Sequence, residues 1–118
     1  MRVVTTTHIK RAMMKHQQWR VGLSLWLQTF DRQGLSLNSF QGVKDKWSNA
    51  SGWNVDRIPA RKVGETGFQG DNFDVYIFDI HKNDCRIITR IDMARDKIFI
   101  RCVGSHAEYN KWVKAHVN

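Results

Sequence analysis

Near its C-terminal end the chain carries the run VGSHAEYNKW, Val103 to Trp112, which sets an imidazole, a carboxylate, a phenol and an ammonium side by side. Upstream, Arg86, Arg90 and Arg101 lie in runs that alternate apolar with polar residues. A group of this kind suits the cleavage of RNA by its own 2′-hydroxyl. That reaction needs a base for the hydroxyl, an acid for the leaving 5′-oxygen and cations around the crowded phosphorane, and it needs no metal. Histidine titrates near neutrality, arginine matches the phosphate, and tyrosine can donate a proton or stack on a base. His106, Tyr109, Arg90 and Arg101 are therefore the catalytic candidates. Ser105 and Glu108 need no chemical role, because their spacing is that of a helix-capping box. His106 and Tyr109, three residues apart, then share one side of the helix that begins there.

Other chemistries find no footing. The chain has no Gly-rich phosphate loop, no GxSxG elbow and no HExxH helix. His8, His16 and His81 stand isolated, and His116 sits in a terminal stretch. Cys85 and Cys102 have no partner at metal-ligand spacing and read as buried free thiols, so neither a metal nor a cofactor is expected.

Side chains alternate faces along a strand, which sets Cys85, Ile87, Thr89 and Ile91 opposite Arg86, Ile88, Arg90 and Asp92. A four-residue turn from Met93 to Asp96 pairs Asp92 with Lys97 and puts the apolar set Ile98, Ile100 and Cys102 on the same core. Arg101 then falls across from Ile88, between Arg86 and Arg90. Three guanidiniums gathered in this way repel one another unless something anionic joins them. If HKND is a turn of the same length, Ile80 pairs with Cys85 and Asp79 faces Arg86, giving that arginine an internal counter-ion. The same pattern offers no such carboxylate to Arg90 and Arg101, so a phosphate is the expected partner.

These groups must be positioned by a small number of elements. RVVTT is a short first strand, and Thr6 or Thr7 can cap the helix that follows. Ile9, Ala12, Met13 and His16 recur at helical spacing, as do Trp19, Leu23, Trp26, Leu27 and Phe30, after which Gly34 is a plausible cap. A weaker third helix begins near Asn38 or Ser39 and carries Phe40, Val43 and Trp47, with Gly42 counting against it. From Ser48 to Asn72 the composition reads as a long loop holding the only proline, Pro59. FDVYIFDI, CRIITRIDM and KIFIRCV then form an antiparallel meander. The expected fold is α+β: a small, twisted, mainly antiparallel sheet packed on two N-terminal helices, with a short C-terminal helix.

The chain of 118 residues fits a single domain, 1–118. Its 42% hydrophobic and 25% charged residues suit a soluble globule. No apolar run is long enough for a membrane span and no signal peptide is evident, so the expected location is cytoplasmic. The net charge is +8, and the first carboxylate is Asp31. Such an imbalance favours a polyanion, and Lys10 and Arg11 on the outer side of the first helix are candidate RNA contacts.

With these residues assembled, the chain resembles the HigB toxins of bacterial toxin-antitoxin pairs, a branch of the RelE-like fold. The resemblance rests on MRVVTTTHIKRAMMKH, WRVGLSLWLQTF, the strand pair YIFDIHKNDCRIITRIDMARDKIFIRCV and the closing GSHAEYNKW. The last looks like the family's Gly-Thr-His-x-Glu-Tyr-Asp-Lys signature, with Ser105 for Thr and Asn110 for Asp. The resemblance implies a ribonuclease that cleaves messenger RNA on the translating ribosome and is silenced by a HigA-type antitoxin with a helix-turn-helix domain. It carries His106, Tyr109 and Lys111 over as signature residues and Arg86 as the family's arginine after the second hairpin turn, Arg86 and Lys111 being RNA contacts. The chain departs from the family at His81 and Lys82, where glycines are common, and at Cys85, where an aromatic residue is common. The segment from Pro59 to Asn72 looks like an insertion.

Two readings from other classes compete. A non-catalytic RNA- or ribosome-binding module would use the same basic surface and block translation by occupancy. A regulator acting through DNA ranks last, since no helix pair reads as a recognition motif.

Overall fold

A computed structural model describes residues 1–63 and 73–117. In chain order its elements are β1 (Arg2–Val4), α1 (Thr7–Lys15), a 3-10 turn (Gln17–Trp19), α2 (Arg20–Phe30), α3 (Phe40–Ser51) and β2 (Val55–Ile58). A second 3-10 turn (Ala60–Lys62), β3 (Val75–Ile80), β4 (Cys85–Asp92), β5 (Lys97–Gly104) and α4 (His106–His116) follow among the described residues. The strands form one sheet in the order β1-β5-β4-β3-β2, antiparallel except where β1 runs parallel to β5. The expected α+β class and the meander of β3, β4 and β5 are both present.

The sheet is covered on both faces. Ile9 and Ala12 of α1, Leu23, Trp26 and Phe30 of α2 and Val43 and Trp47 of α3 close over Phe78, Ile80, Ile87 and Ile98 in the main core. A third helix thus joins the expected two. The centre is aromatic: Phe78 meets the edges of Trp26 and Phe30 at centroid distances of 5.3 and 5.0 Å, an arrangement ring quadrupoles favour. On the opposite face a smaller cluster of Val75, Ile77 and Ile88 lies under Tyr109 and Trp112 of α4. Burial on both sides explains why VYIFDI is nearly continuous in apolar residues rather than alternating.

Local chemistry fixes the helix ends, partly as expected. Ser39 caps α3 by accepting a hydrogen bond from the Gly42 N–H at 3.0 Å, and Gly52 ends that helix in the left-handed region at φ 80°. Ser105 and Glu108 form the expected capping box on α4. Thr6 occupies the N-cap position of α1 but makes no side-chain capping bond. Gly34 does not cap α2, whose C-cap is Asp31; its φ of 85° serves the following turn. Gly22 is required by packing, because a Cβ there would lie 2.6 Å from Ile80 Cγ2.

Two expectations are corrected. The stretch from Ser48 to Asn72 is not one long loop: Ser48–Ser51 complete α3, Val55–Ile58 form the edge strand β2 against β3, and Ala60–Lys62 make a 3-10 turn. Val55 alone is fully buried in that strand, and a four-residue edge with Asp56 and Arg57 facing solvent has too little alternation to stand out. The remainder of the predicted loop and insertion, 64–72, lies outside the described residues. The second correction concerns β5. The register runs Asp92↔Lys97 to Thr89↔Ile100 as expected, then steps to Ile88↔Cys102. Arg101 is the extra residue of a β-bulge and is not opposite Ile88. The bulge reverses the alternation beyond it, so Cys102 joins the small cluster under α4 and Val103 packs on the main core.

Candidate active site

The site is built where β3 and β4 turn and α4 begins. The HKND turn gives the expected register, with Ile80↔Cys85 and Asp79↔Arg86. Asp79 Oδ1 stands 3.6 Å from Arg86 Nε, and the two side chains are only 15% and 11% exposed. Arg86 also donates from Nη2 to Asn83 Oδ1 at 3.0 Å. Its guanidinium lies over the face of Tyr109, 4.6 Å from the ring centroid, where a cation is attracted by the ring quadrupole. His106 follows directly, its ring centroid 6.1 Å from that of Tyr109. The first turn of α4 thus leans its phenol on the sheet while His106 stays exposed.

Electrostatics tie these groups together. Burial pushes the Tyr109 phenol above 10.0, opposed by Arg86 and reinforced by Asp56 and Asp79. Tyr109 is therefore a neutral proton donor at neutral pH. Burial likewise raises the Asp79 carboxyl above 3.8; Arg86 and His106 oppose the rise, and Asp56 adds to it. Among the described residues no group of three or more His, Cys, Asp or Glu is placed to hold a metal ion.

The other candidates are dispersed. Arg90 is four residues along β4 from Arg86, about 13 Å at strand rise. Its guanidinium lies over Phe99 at 4.3 Å and Phe73 at 4.9 Å. Arg101 is exposed at the bulge. The expected convergence of Arg86, Arg90 and Arg101 is therefore not what the register produces. Lys111 is exposed and lies about 160° around α4 from Tyr109. On α1, Lys10 and Arg11 are both exposed. Arg11 lines a cleft with His8, Lys15, His16, Val103 and Glu108, so the basic helix reaches the first turn of α4.

The structure brings the candidates His106, Tyr109 and Arg86 together; Asp56, whose charge reaches Asp79 and Tyr109, is hidden in the sequence because β2 is too short to show alternation. The rings of Phe73 and Phe99 around Arg90 are likewise hidden, being contacts that alternation along one strand cannot show. Asp79 was placed correctly, as a counter-ion.

Residues 64–112 match the HigB toxin family. The family is described as the RelE-like toxic component of a toxin-antitoxin system. The match reaches from ahead of β3 into α4 and includes Asp79, Arg86, Arg90, Arg101, His106, Tyr109 and Lys111, whereas Lys10 and Arg11 lie outside it. Helices followed by a mostly antiparallel sheet and a C-terminal helix are consistent with a RelE-like fold. Over residues 64–112, less than half of its length, the chain is similar to that family of toxin components. No curated protein matches the chain. No helix among the described residues is long and apolar enough to cross a membrane.

Proposed function

We propose that this chain is a HigB-type toxin, an endoribonuclease that cuts messenger RNA on the translating ribosome and thereby stops translation, and the likeness of residues 64–112 to that family supports the reading. In this reading His106 takes the proton from the 2′-hydroxyl, whose oxygen attacks the adjacent phosphorus. The bond to the 5′-oxygen breaks, that oxygen receives a proton from the Tyr109 hydroxyl, and the products are a 2′,3′-cyclic phosphate and a free 5′-hydroxyl. Arg86 supplies positive charge beside Tyr109, and Arg90 and Arg101 hold phosphates on either side of the cut. Lys111, Lys10 and Arg11 guide the strand. The reaction needs no metal and no cofactor, because proton transfer and cationic stabilisation suffice. A HigA-type antitoxin with a helix-turn-helix domain is the partner that silences it.

The observation that carries this reading is the Arg86–Tyr109–His106 contact, with the guanidinium 4.6 Å from the phenol ring and the imidazole centroid 6.1 Å beyond. The test is a cell-free translation extract. The parent protein should stop synthesis and leave messages with new 5′ ends. His106→Ala and Tyr109→Phe should each slow cutting by about 10²–10⁴-fold, the usual size of a proton-transfer contribution. Variants that cut as fast as the parent would remove the site. Intact messages beside stalled ribosomes would instead favour block by occupancy.

A further inference from the structure

The Asp79–Arg86 pair is poorly designed as a source of stability. Both side chains are largely buried. Asp79 Oδ1 and Arg86 Nε face each other at 3.6 Å, beyond hydrogen-bonding reach, and neither atom has a hydrogen-bond partner among the described residues. Burying two charges costs several kcal/mol per ion unless the geometry closes fully, and well-packed apolar residues in their place are often neutral or stabilising. Keeping the pair half-closed makes sense if the direction of the guanidinium matters more than its attraction.

The surroundings support this. Arg86 is held by one hydrogen bond, from Nη2 to Asn83 Oδ1, and by the charge of Asp79 3.6 Å from Nε, and the two together orient the plane it presents to Tyr109. Asp79 has a rigid footing of its own. Its N–H donates to the Asn54 carbonyl at 3.0 Å, and its carbonyl accepts from Trp47 Nε1 at 2.9 Å. Trp47 is fully buried in the aromatic core. A continuous path therefore leads from the centre of the molecule through β3 to the guanidinium beside the phenol.

We propose that Asp79 is a positioning residue of the candidate site, holding the Arg86 guanidinium in the plane from which it serves Tyr109 and the cleaved phosphate. The proposal rests on the ribonuclease reading for its effect on rate, but its structural half can be measured separately. Loss of orientation at a reacting centre costs up to about a hundredfold. In the translation extract, using a single reporter message, Asp79→Asn should slow cutting by about 10- to 100-fold. In an Arg86→Ala background the same substitution should add nothing further. Equal effects in both backgrounds, or loss of rate that merely follows a fall in melting temperature, would overturn the proposal.

A second measurement needs no RNA. The Arg86 Nε–H should give a slowly exchanging nitrogen-correlated NMR signal in the parent that broadens or disappears in Asp79→Asn. A signal unchanged by the substitution would also overturn it. If the parent cuts no message but the signal is lost, the ribonuclease reading falls and the positioning of Arg86 by Asp79 stands.

Discussion

Tyr109 and Cys85, packed on opposite faces of the sheet, show how burial raises two ionisable groups with different consequences. Tyr109 is half-buried and touches Arg86, so its raised pKa preserves a proton that can be given away. Cys85 is fully buried, and burial, with help from Glu108, pushes its thiol from 9.0 up to about 12. The thiolate is the reactive form, so Cys85 should resist alkylation at pH 8 while the half-buried Cys102 reacts first, as mass spectrometry of the modified protein would show. The same shift has a stability consequence. A thiol whose folded pKa lies above its ordinary value contributes stability that is complete below 9.0 and is lost as pH rises toward 12. Tyr76 and Tyr109, both raised from 10.0, act in the same direction. The urea midpoint should therefore fall across this range, and Cys85→Val should flatten the fall. The identity of these groups was legible in the sequence, as was the Asp79–Arg86 register. Their burial was not, because it depends on α3 and α4 closing from two sides.

At the level of elements, periodicity located α1, α2 and the three meander strands, since each carries a repeat long enough to detect. It failed at β2, where four residues contribute one fully buried side chain, and at the β5 bulge, where a single extra residue reverses every face beyond it. No local residue preference marks Arg101 as the point of the step. The close approach of α2 to β3 is another feature that one sequence does not reveal. Gly22 sits there because a Cβ would meet Ile80 Cγ2 at 2.6 Å and the His81 ring at 3.0 Å. Gly22→Ala gains helix propensity worth about 1 kcal/mol but should lose about 1–3 kcal/mol to overpacking. A lower urea midpoint with an unchanged slope is the expected result. A more stable variant would mean that α2 and the β3–β4 turn can separate without cost.

For the whole molecule, charge is the dominant property. A net +8, with no carboxylate before Asp31, gives a surface that a polyanion neutralises. If the proposed RNA contacts hold, affinity for single-stranded RNA should fall steeply with salt, the logarithmic slope losing about 0.7 for each phosphate contact removed. Arg11→Gln and Lys111→Gln should each lower that slope without altering the position of the cut. An unchanged slope would remove the residue concerned from the RNA path. The α+β class was legible from alternation, and the GSHAEYNK segment pointed to the candidate site. The mixed topology was not, because nothing in RVV indicates which strand it joins or in which direction.

That topology also bears on synthesis. Val3 lies beside Ile98, and β5 is the only strand next to β1 among the described residues. β1 therefore leaves the ribosome well before β5 exists, and this edge of the sheet stays unsealed until β5 has been made. Arg86 and Tyr109 likewise meet only once α4 has emerged, so the arrangement with which this chain would act forms after every strand of the described sheet has been made.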